Sequence, residues 1–114
     1  MEIQTPDYFV GYDASTQSIL FKGSLRLNGA EAYAPISRIL DSAVEKKPDT
    51  LTLNLTELKF LNSSGINMLS KFVIRVRQIS ATQLIVKGSQ TISWQSKSLK
   101  NLKRLMPTLH LEIE

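Results

Sequence analysis

Apolar residues crowd two short segments near the N-terminus, over residues 8–12 and 18–27. The polar stretch 13–17 separates them, and Asn28-Gly29 follows the second segment. Runs of aromatic and branched side chains that are bounded by turn-forming residues are typical of strands. The pattern therefore predicts an N-terminal β-hairpin.

Three later segments carry apolar residues at intervals of three and four, the period of a helix with one buried face. The first segment contains Ile36, Ile39, Leu40, Ala43 and Val44. Pro35 is expected in its first turn, where the missing N–H costs little. The second segment contains Ile66, Leu69, Phe72, Val73, Val76 and Ile79. The third covers Thr91–Met106, and Pro107 is expected to end it.

Strand patterns fill the intervals between these helices. Leu51–Leu55 alternates strictly, which predicts a strand with one face on the core, and a polar-apolar bridge follows over residues 56–61. Gln83–Gly88 is a continuous apolar run, as expected of a strand that is buried on both faces. In the last segment, leucine and isoleucine alternate with His110 and Glu112, which predicts an edge strand.

Strands that alternate with helices pair in parallel, because each crossover helix returns the chain to the same end of the sheet. We therefore predict an α/β fold with a mixed, mostly parallel β-sheet, an N-terminal hairpin and three packed α-helices. The chain has 114 residues, of which 42% are hydrophobic. That is enough for one core, so residues 1–114 are expected to form a single domain.

Few residues of this chain offer catalytic chemistry. Cysteine is absent and His110 is the single histidine, which excludes disulfides, thiolate nucleophiles and multi-histidine metal sites. His110 itself is expected to face solvent. We expect a non-enzymatic protein without a metal or cofactor, because the residues supply neither a general base nor a phosphate-cradling glycine loop.

The apolar runs of the chain are short. None approaches the roughly 20 residues that span a bilayer. The first residues, Met1–Gln4, lack a basic segment followed by an apolar one, which is the pattern of a secretory signal. The sequence therefore predicts a cytoplasmic protein without membrane attachment.

The net charge of +4 raises the question of nucleic-acid binding. Four cations fall in the third predicted helix: Lys97, Lys100, Lys103 and Arg104. A solvated helix face explains them best, since no aromatic residues that could stack on bases accompany them. Weak nucleic-acid binding is the alternative. The acidic residues of the first helix are also expected to face solvent: Glu31, Asp41 and Glu45.

One stretch combines a strand, a short bridge and a helix entry. It runs from the alternating strand 51–55 through Asn62-Ser63-Ser64-Gly65 into the second predicted helix. This order resembles the signature of STAS domains, the family of sulfate-transporter tails and bacterial anti-sigma-factor antagonists. In that signature, a strand with Asp-Leu and an apolar bridge precede Asp-Ser-Ser-Gly-Leu at the start of an amphipathic helix. The resemblance implies a STAS-like single domain.

For the antagonist branch of the family, the resemblance implies partner switching. A kinase that also restrains a regulator phosphorylates a serine of the motif, and a metal-dependent phosphatase removes the phosphate. The unmodified domain binds that kinase. Matched position by position, the phosphorylated residue is Ser63, with Ser64 beside it. The partner-binding motif then comprises Asn54, Asn62, Ser63, Ser64 and Gly65.

Two motif positions differ from the family pattern. Asn54 and Asn62 stand where the family usually has aspartate. The amides keep the shape and the capping ability of aspartate but lack its charge. The difference leaves open a second reading, a STAS scaffold or oligomerisation module that is never phosphorylated. The oligomeric state stays open, a dimer included.

The beginning of a helix can accept a phosphate, because its first N–H groups lack partners and the helix dipole is positive there. Loops that follow parallel strands lie at one edge of a sheet. We therefore expect Ser63 and Trp94 to share a surface. Trp94 has two alternative roles, an interface anchor or a side chain that fills a gap against the core.

Overall fold

The computed structural model describes residues 1–79 and 81–114. These residues form a six-stranded sheet whose strands lie in chain order. The strands are β1 (Glu2–Gln4), β2 (Tyr8–Asp13), β3 (Ser18–Leu25), β4 (Thr50–Leu61), β5 (Gln83–Gly88) and β6 (His110–Ile113). The helices are α1 (Gly29–Glu45), α2 (Ser63–Ile79) and α3 (Gln95–Leu105).

The sheet is mixed, as predicted. β1, β2 and β3 pair antiparallel, whereas β3, β4, β5 and β6 are parallel. The predicted hairpin is the β2–β3 pair, in which Val10 lies opposite Phe21. β1 was missed by the sequence pattern, because three residues are too few for a recognisable alternation.

The three helices lie on one face of the sheet. Each parallel pair in chain order is joined by a crossover, and such crossovers are right-handed. Repeating the crossover in one direction places every helix on the same side. Leu51, Leu53 and Leu55 of β4 are fully buried, whereas Thr52 and Asn54 between them are only half-buried. The core therefore lies between the helices and this inner face.

The two last strands differ in how well the pattern predicts them. In β5, Leu84 and Val86 are fully buried, but Ile85 and Lys87 are half-buried on the outer face. The predicted burial on both faces is wrong, because the helices pack on the inner face alone. β6 is the predicted edge strand, and the His110 side chain is exposed, 3.7 Å from the Glu112 carboxylate.

α1 begins at Gly29, and Pro35 lies inside the helix rather than in its first turn. The prediction for Pro35 is therefore wrong. Proline removes one helical hydrogen bond, the one that its N–H would donate to the Glu31 carbonyl. Both residues are exposed, so water can reach that carbonyl. The solvent-facing position allows the helix to continue through the proline.

The acidic face of α1 is partly paired, which corrects the prediction of a solvated face. Arg75 of α2 contacts Asp41 Oδ1 twice, through Nη2 at 2.7 Å and through Nε at 2.9 Å. The contact joins α1 to α2. Because both side chains are partly exposed, such a pair contributes at most about 1 kcal/mol to the free energy of unfolding.

β4 is longer than predicted. The alternating segment 51–55 continues to Leu61, so the interpretation of residues 56–61 as a bridge is wrong. The pairing of β4 with β3 shifts register twice, opposite residues 20–24 of β3. Such bulges interrupt the alternation of side chains and increase the local twist. The interruption conceals the second half of the strand from any argument based on a period of two.

α2 begins at Ser63, as predicted, but its buried side differs from the predicted stripe. Ile66 is only half-buried and Ile79 is 39% exposed. Gly65 and Met68 are buried instead. The packed side of α2 is therefore rotated toward α1 at the beginning of the helix, where Tyr33 of α1 is also buried.

α3 begins at Gln95, later than the predicted Thr91. Residues 89–92 form a turn instead, in which the Ile92 N–H donates to the Ser89 carbonyl. Pro107 follows the end of the helix, as predicted. Within the part of the chain that the structure describes, each helix is too short or too polar to cross a membrane.

Candidate functional site

Asn62 fixes the start of α2 with both ends of its side-chain amide. Its Oδ1 accepts hydrogen bonds from the Tyr33 hydroxyl at 2.7 Å and from the Gly65 N–H at 3.0 Å. Its Nδ2 donates to the Leu27 carbonyl at 2.7 Å. Asn62 therefore caps α2 and connects it to α1 and to the segment between β3 and α1.

The Leu27 contact distinguishes asparagine from aspartate at this position. The Leu27 carbonyl is an acceptor, so the group that faces it must be a donor. An ionised carboxylate offers only acceptors and would repel that carbonyl. The Asn62 amide is thus matched to the two donors and the one acceptor around it.

Tyr33 belongs to this site, although it carries no motif in the sequence. It is fully buried in α1, and its hydroxyl is the donor to Asn62. Burial disfavours the phenolate and raises the pKa of Tyr33 above its ordinary value. The signal in the sequence was its spacing, since Tyr33 precedes Ile36 by one helical turn and extends the same apolar stripe.

Ser63 and Ser64 occupy different environments in the first turn of α2. Ser63 is the first helical residue and is exposed. Ser64 is half-buried, and its Oγ accepts the Gly29 N–H at 3.3 Å. Asn62 occupies the N–H of Gly65. Among the described residues, the N–H groups of Ser63 and Ser64 have no hydrogen-bond acceptor.

The motif glycine, Gly65, is required by packing. A Cβ atom at this position would overlap the Leu61 side chain and would lie 2.8 Å from the Tyr33 hydroxyl oxygen. Its absence allows α2 to approach β4 and α1 closely. The buried Tyr33 hydroxyl can then reach Asn62 Oδ1. The hydrogen bonds of Asn62 therefore require a glycine at position 65.

A groove of about 200 Å³ lies beside Ser64, between α1 and α2. Ser37, Ser64, Asn67 and Lys71 are among the residues that line it. Arg75 also borders the groove, but its guanidinium is paired with a carboxylate of α1. The groove gives the start of α2 a polar and cationic flank on the side of α1.

Asn54 lies apart from this turn. It is half-buried on the outer face of β4, where it pairs in register with Leu20 and Lys87. Its Oδ1 accepts the Thr56 N–H at 3.1 Å and the Thr56 hydroxyl at 2.7 Å. The structure gives Asn54 a local role just before the bulged part of β4, and it brings Asn54 into no hydrogen bond with Ser63 among the described residues.

Trp94 is used within the domain. Its indole N–H donates to the Leu58 carbonyl at 3.0 Å, and the half-buried ring packs against the core. The contact agrees with the gap-filling alternative. Leu58 lies in β4, five positions before Ser63, the first residue of α2. No hydrogen bond within the described residues joins Ser63 to Trp94.

Gln95 is a buried polar residue that the sequence did not reveal. Its Nε2 donates to the Leu55 carbonyl at 2.6 Å and to the Leu58 carbonyl at 3.0 Å. Its Oε1 accepts the Ser89 N–H at 2.7 Å. Gln95 thereby joins the bulge of β4 to the end of β5. The expected proximity of the segments after these two strands is realised through this side chain.

The basic residues of α3 are partly engaged inside the fold. Lys103 Nζ donates to the Pro107 carbonyl at 3.2 Å and to the Leu109 carbonyl at 2.7 Å. Arg104 donates to the Asn101 side chain at 3.3 Å. These contacts favour the interpretation of the basic residues as a helix face, because Lys103 is engaged with carbonyl groups of the segment that follows α3.

A family model for the STAS domain matches residues 19–101. The chain belongs to the STAS domain family. The matched range contains every residue of the motif, from Asn54 to Gly65, and also Trp94. The predicted family and fold class are therefore confirmed. Comparison with curated protein sequences gives no match.

Three solved structures share the fold of this STAS domain. One is a chain in the complex of the diguanylate cyclase SiaD with its activator SiaC from Pseudomonas aeruginosa, which is 12% identical with a TM-score of 0.74 and covers 99% of this chain and 97% of that chain. SiaC of Pseudomonas aeruginosa is 11% identical with a TM-score of 0.73, and the match covers 100% of this chain and 98% of that chain. An anti-sigma factor antagonist from Mycobacterium paratuberculosis is 17% identical with a TM-score of 0.67, covering 96% and 90%.

Proposed function

We propose that this STAS domain is a non-enzymatic partner-switching regulator. In the unmodified state, it binds a protein partner of the serine-kinase type through the surface around Ser63, and phosphorylation of Ser63 releases that partner. A metal-dependent phosphatase restores the unmodified state. The observation that carries the proposal is the exposure of Ser63 at the first position of α2, next to a cap that does not use its hydroxyl.

The domain can accept the phosphate without rearranging. The Asn62 cap depends on the Tyr33 hydroxyl, the Gly65 N–H and the Leu27 carbonyl, none of which a phosphate on Ser63 must displace. The new group would lie near backbone N–H groups and the positive end of the helix dipole. The fold is therefore expected to survive modification.

The partner interface responds differently to the same phosphate. A phosphoserine carries about −1.5 to −2 charges at neutral pH. In an interface formed around a neutral hydroxyl, that charge must be desolvated and sterically accommodated. Binding is then lost while the domain stays folded, which is the asymmetry that a switch requires.

Of the two motif serines, Ser63 is the better substrate. Its side chain is exposed, whereas Ser64 is half-buried and accepts the Gly29 N–H. Modification of Ser64 would break that contact and direct the phosphate toward the groove between α1 and α2. We therefore assign the regulatory role to Ser63 and retain Ser64 as the neighbouring candidate.

Protein partners of similarly folded domains support a binding role. SiaC is the activator of the diguanylate cyclase SiaD and occurs in complex with it. Another similar domain is an anti-sigma factor antagonist. The proposal locates the domain in the cytoplasm, where the ATP that a kinase consumes is available, and assigns it a role in bacterial signal transduction and transcription regulation.

The Asn62 network favours one other candidate function. Because the amide is matched to a structural carbonyl, the motif can serve as a purely structural helix cap. The domain would then act as a STAS scaffold or oligomerisation module that is never phosphorylated. Nucleic-acid binding through α3 is less favoured, since Lys103 and Arg104 make contacts within the domain.

The test combines modification state and partner capture in the native cell. Tagged wild-type protein, Ser63→Ala and Ser63→Asp are purified, weighed by intact-mass spectrometry and analysed for bound proteins, with Ser64→Ala as the matched control. We expect a phosphorylated fraction in the wild type and the Ser64→Ala variant that Ser63→Ala lacks. A kinase-type partner should be retained by Ser63→Ala and lost by Ser63→Asp. Retention by Ser63→Asp would contradict the switch.

A further inference from the structure

Phe60 is an exposed aromatic residue three positions before Ser63. It lies in the bulged half of β4, and 38% of its surface is accessible. Leu61, the next residue, is buried in the core and lies opposite the buried Leu25, so Phe60 faces away from the core. Three residues of extended chain span at most about 11 Å. The backbone of Phe60 therefore lies within about 11 Å of the proposed phosphorylation site.

One cation contacts the Phe60 ring, and a second is its neighbour in the sequence. The guanidinium carbon of Arg26 lies 4.5 Å from the ring centre, a cation–π arrangement. Lys59 is adjacent in sequence and exposed. The nearest acidic residue along β4, Glu57, is paired in register with Lys22 of β3. Among the described residues, Glu57 forms no ion pair with any of the three cations nearby, Lys22, Arg26 and Lys59. Three cations thus accompany one carboxylate in residues 22–26 and 57–60, which leaves an excess of two positive charges.

The position of Arg26 connects these residues to the site. The carbonyl of Leu25 accepts the Asn62 N–H at 3.2 Å, and the carbonyl of Leu27 accepts the Asn62 side chain. Arg26 lies between these two residues, so its backbone runs directly beside the cap of α2. We name Arg26, Lys59 and Phe60 the basic-aromatic patch.

We infer that the basic-aromatic patch is the docking surface for an acidic segment of the protein partner. An apolar side chain of that segment contacts the Phe60 ring, and its carboxylates face Arg26 and Lys59. Phenylalanine and arginine are both enriched in protein interfaces relative to the rest of the surface. The excess of two positive charges gives the charge complementarity that selects an acidic segment over a neutral one. This inference rests on the proposed function.

The patch also supplies a reason why phosphate at Ser63 would be effective. Its two positive charges would be almost cancelled by the −1.5 to −2 charges of a phosphoserine at neutral pH. The attraction that steers an acidic partner toward the patch would disappear. Phosphorylation would therefore act through charge compensation on the patch as well as through steric conflict at Ser63.

The first experiment uses photo-crosslinking in the native cell. Phe60 is replaced by p-benzoylphenylalanine, and the same replacement at Ile79 serves as the matched control, because Ile79 is equally exposed at 39% but lies at the other end of α2. We expect the replacement at position 60, and not at position 79, to crosslink to a protein segment rich in aspartate and glutamate. Absence of a crosslink at position 60, or a crosslink to nucleic acid or to a second copy of the chain, would overturn the inference.

The crosslink also separates this inference from the proposed function. Combined with Ser63→Asp, the crosslink at position 60 should be lost. A crosslink to an acidic segment that persists with Ser63→Asp would support the docking surface and contradict the switch. A partner that Ser63→Asp releases, but that crosslinks elsewhere on the domain, would support the switch and overturn the docking surface.

The second experiment measures affinity for the crosslinked partner after its purification. We expect Phe60→Ala to weaken binding by about tenfold or more. The double variant Arg26→Gln with Lys59→Gln should slow association by about tenfold at low salt. Its control, Lys97→Gln with Lys100→Gln, makes the same change in net charge on α3. This control should leave both the affinity and the association rate unchanged. Equal effects of the two double variants would overturn the role of the patch.

Charge compensation predicts that the two changes are not additive. Ser63→Asp should reduce affinity by a smaller factor in the Arg26→Gln and Lys59→Gln background than in the wild type, because the attraction that it cancels is already gone. An undiminished factor would exclude charge compensation. In that case, the patch would bind the partner independently of the phosphate.

Discussion

The beginnings of α2 and α3 are both held in place by a side-chain amide, but the two amides differ in position and exposure. Each helix follows a parallel strand, and each is anchored by one side-chain amide with three principal contacts: Asn62 for α2 and Gln95 for α3. Asn62 lies just before its helix, so Ser63 is left exposed. Gln95 is the first residue of its helix and is fully buried. An anchor outside the helix leaves the first turn accessible, whereas an anchor within it closes the turn against the sheet.

The comparison predicts that Gln95, the anchor within its helix, contributes more to the free energy of unfolding than Asn62, the anchor outside its helix. Replacement Gln95→Leu should lower the free energy of unfolding by about 3 kcal/mol, because the Leu55 carbonyl and the Ser89 N–H lose their partner. Ser96→Leu, at an exposed position of the same helix, is the control. The measurement is urea-induced unfolding of both variants. Equal midpoints would show that the buried amide has no special weight.

Asn62 should contribute less to the free energy of unfolding than Gln95, but its position should discriminate between an amide and a carboxylate. Asn62→Ala removes the cap and the partner of the Leu27 carbonyl, and we expect it to cost about 2 kcal/mol. Asn62→Asp keeps the cap but offers no donor to Leu27, so a loss of about 1 kcal/mol is expected. Urea unfolding near neutral pH measures both. An aspartate variant as stable as the wild type would contradict the role assigned to the Leu27 contact.

Tyr33→Phe tests the hydrogen bond from the Tyr33 hydroxyl to Asn62. The loss of its hydrogen bond to Asn62 should cost about 1 kcal/mol at neutral pH. Burial raises the pKa of Tyr33 above its ordinary value of 10.0, so the folded state holds the phenolic proton more tightly than the unfolded state. The resulting stability is fully present below about pH 10 and is lost as the pH rises through the folded-state pKa.

Unfolding of the wild type and Tyr33→Phe should therefore be compared at neutral pH and above pH 10. The difference in free energy between the two proteins should narrow at the higher pH, because the phenylalanine variant has no such proton to lose. Tyr8 and Tyr12 are present in both proteins and cancel in the comparison. A difference that widens with pH would contradict the raised pKa of Tyr33.

The smallest effect is expected at the exposed serine. Ser63→Asp should raise the free energy of unfolding by about 0.5 kcal/mol, because it adds a negative charge to the start of a helix. Ser96→Asp makes the matched change in the first turn of α3. Thermal unfolding should respond similarly in the two variants, whereas only Ser63→Asp should release the partner. A strongly destabilised Ser63→Asp variant would mean that the start of α2 is less accommodating than its geometry suggests.

The sequence predicted those elements whose burial follows a regular local period. Leu51–Leu55 alternates because one face of β4 meets the helices, and α2 starts where the motif indicates. Prediction failed where a tertiary feature interrupts the period. The bulges interrupt the alternation of β4 over residues 56–61, and the exposed position of Pro35 allows α1 to continue through it. Neither feature leaves a mark in the local pattern of polar and apolar residues.

The site was predictable to the same extent. The motif correctly indicated that Asn62 and Ser63 begin a helix, because capping is a contact between close neighbours. Tyr33 and Gln95 were overlooked, since their partners lie 29 and 40 residues away in the chain. A tyrosine on an apolar stripe and a glutamine among serines and lysines look ordinary in sequence. Only the assembled sheet shows that each one completes a helix start.

The arrangement of strands in chain order has a consequence for the way the molecule is made. As the polypeptide leaves the ribosome, each new strand can settle against the outer edge of the one synthesised just before it. The sheet can thus be extended at one edge, one strand at a time, in the order of synthesis. The first turn of α2, which carries Ser63, directly follows β4, so β3 and β4 are both synthesised before the last third of the chain.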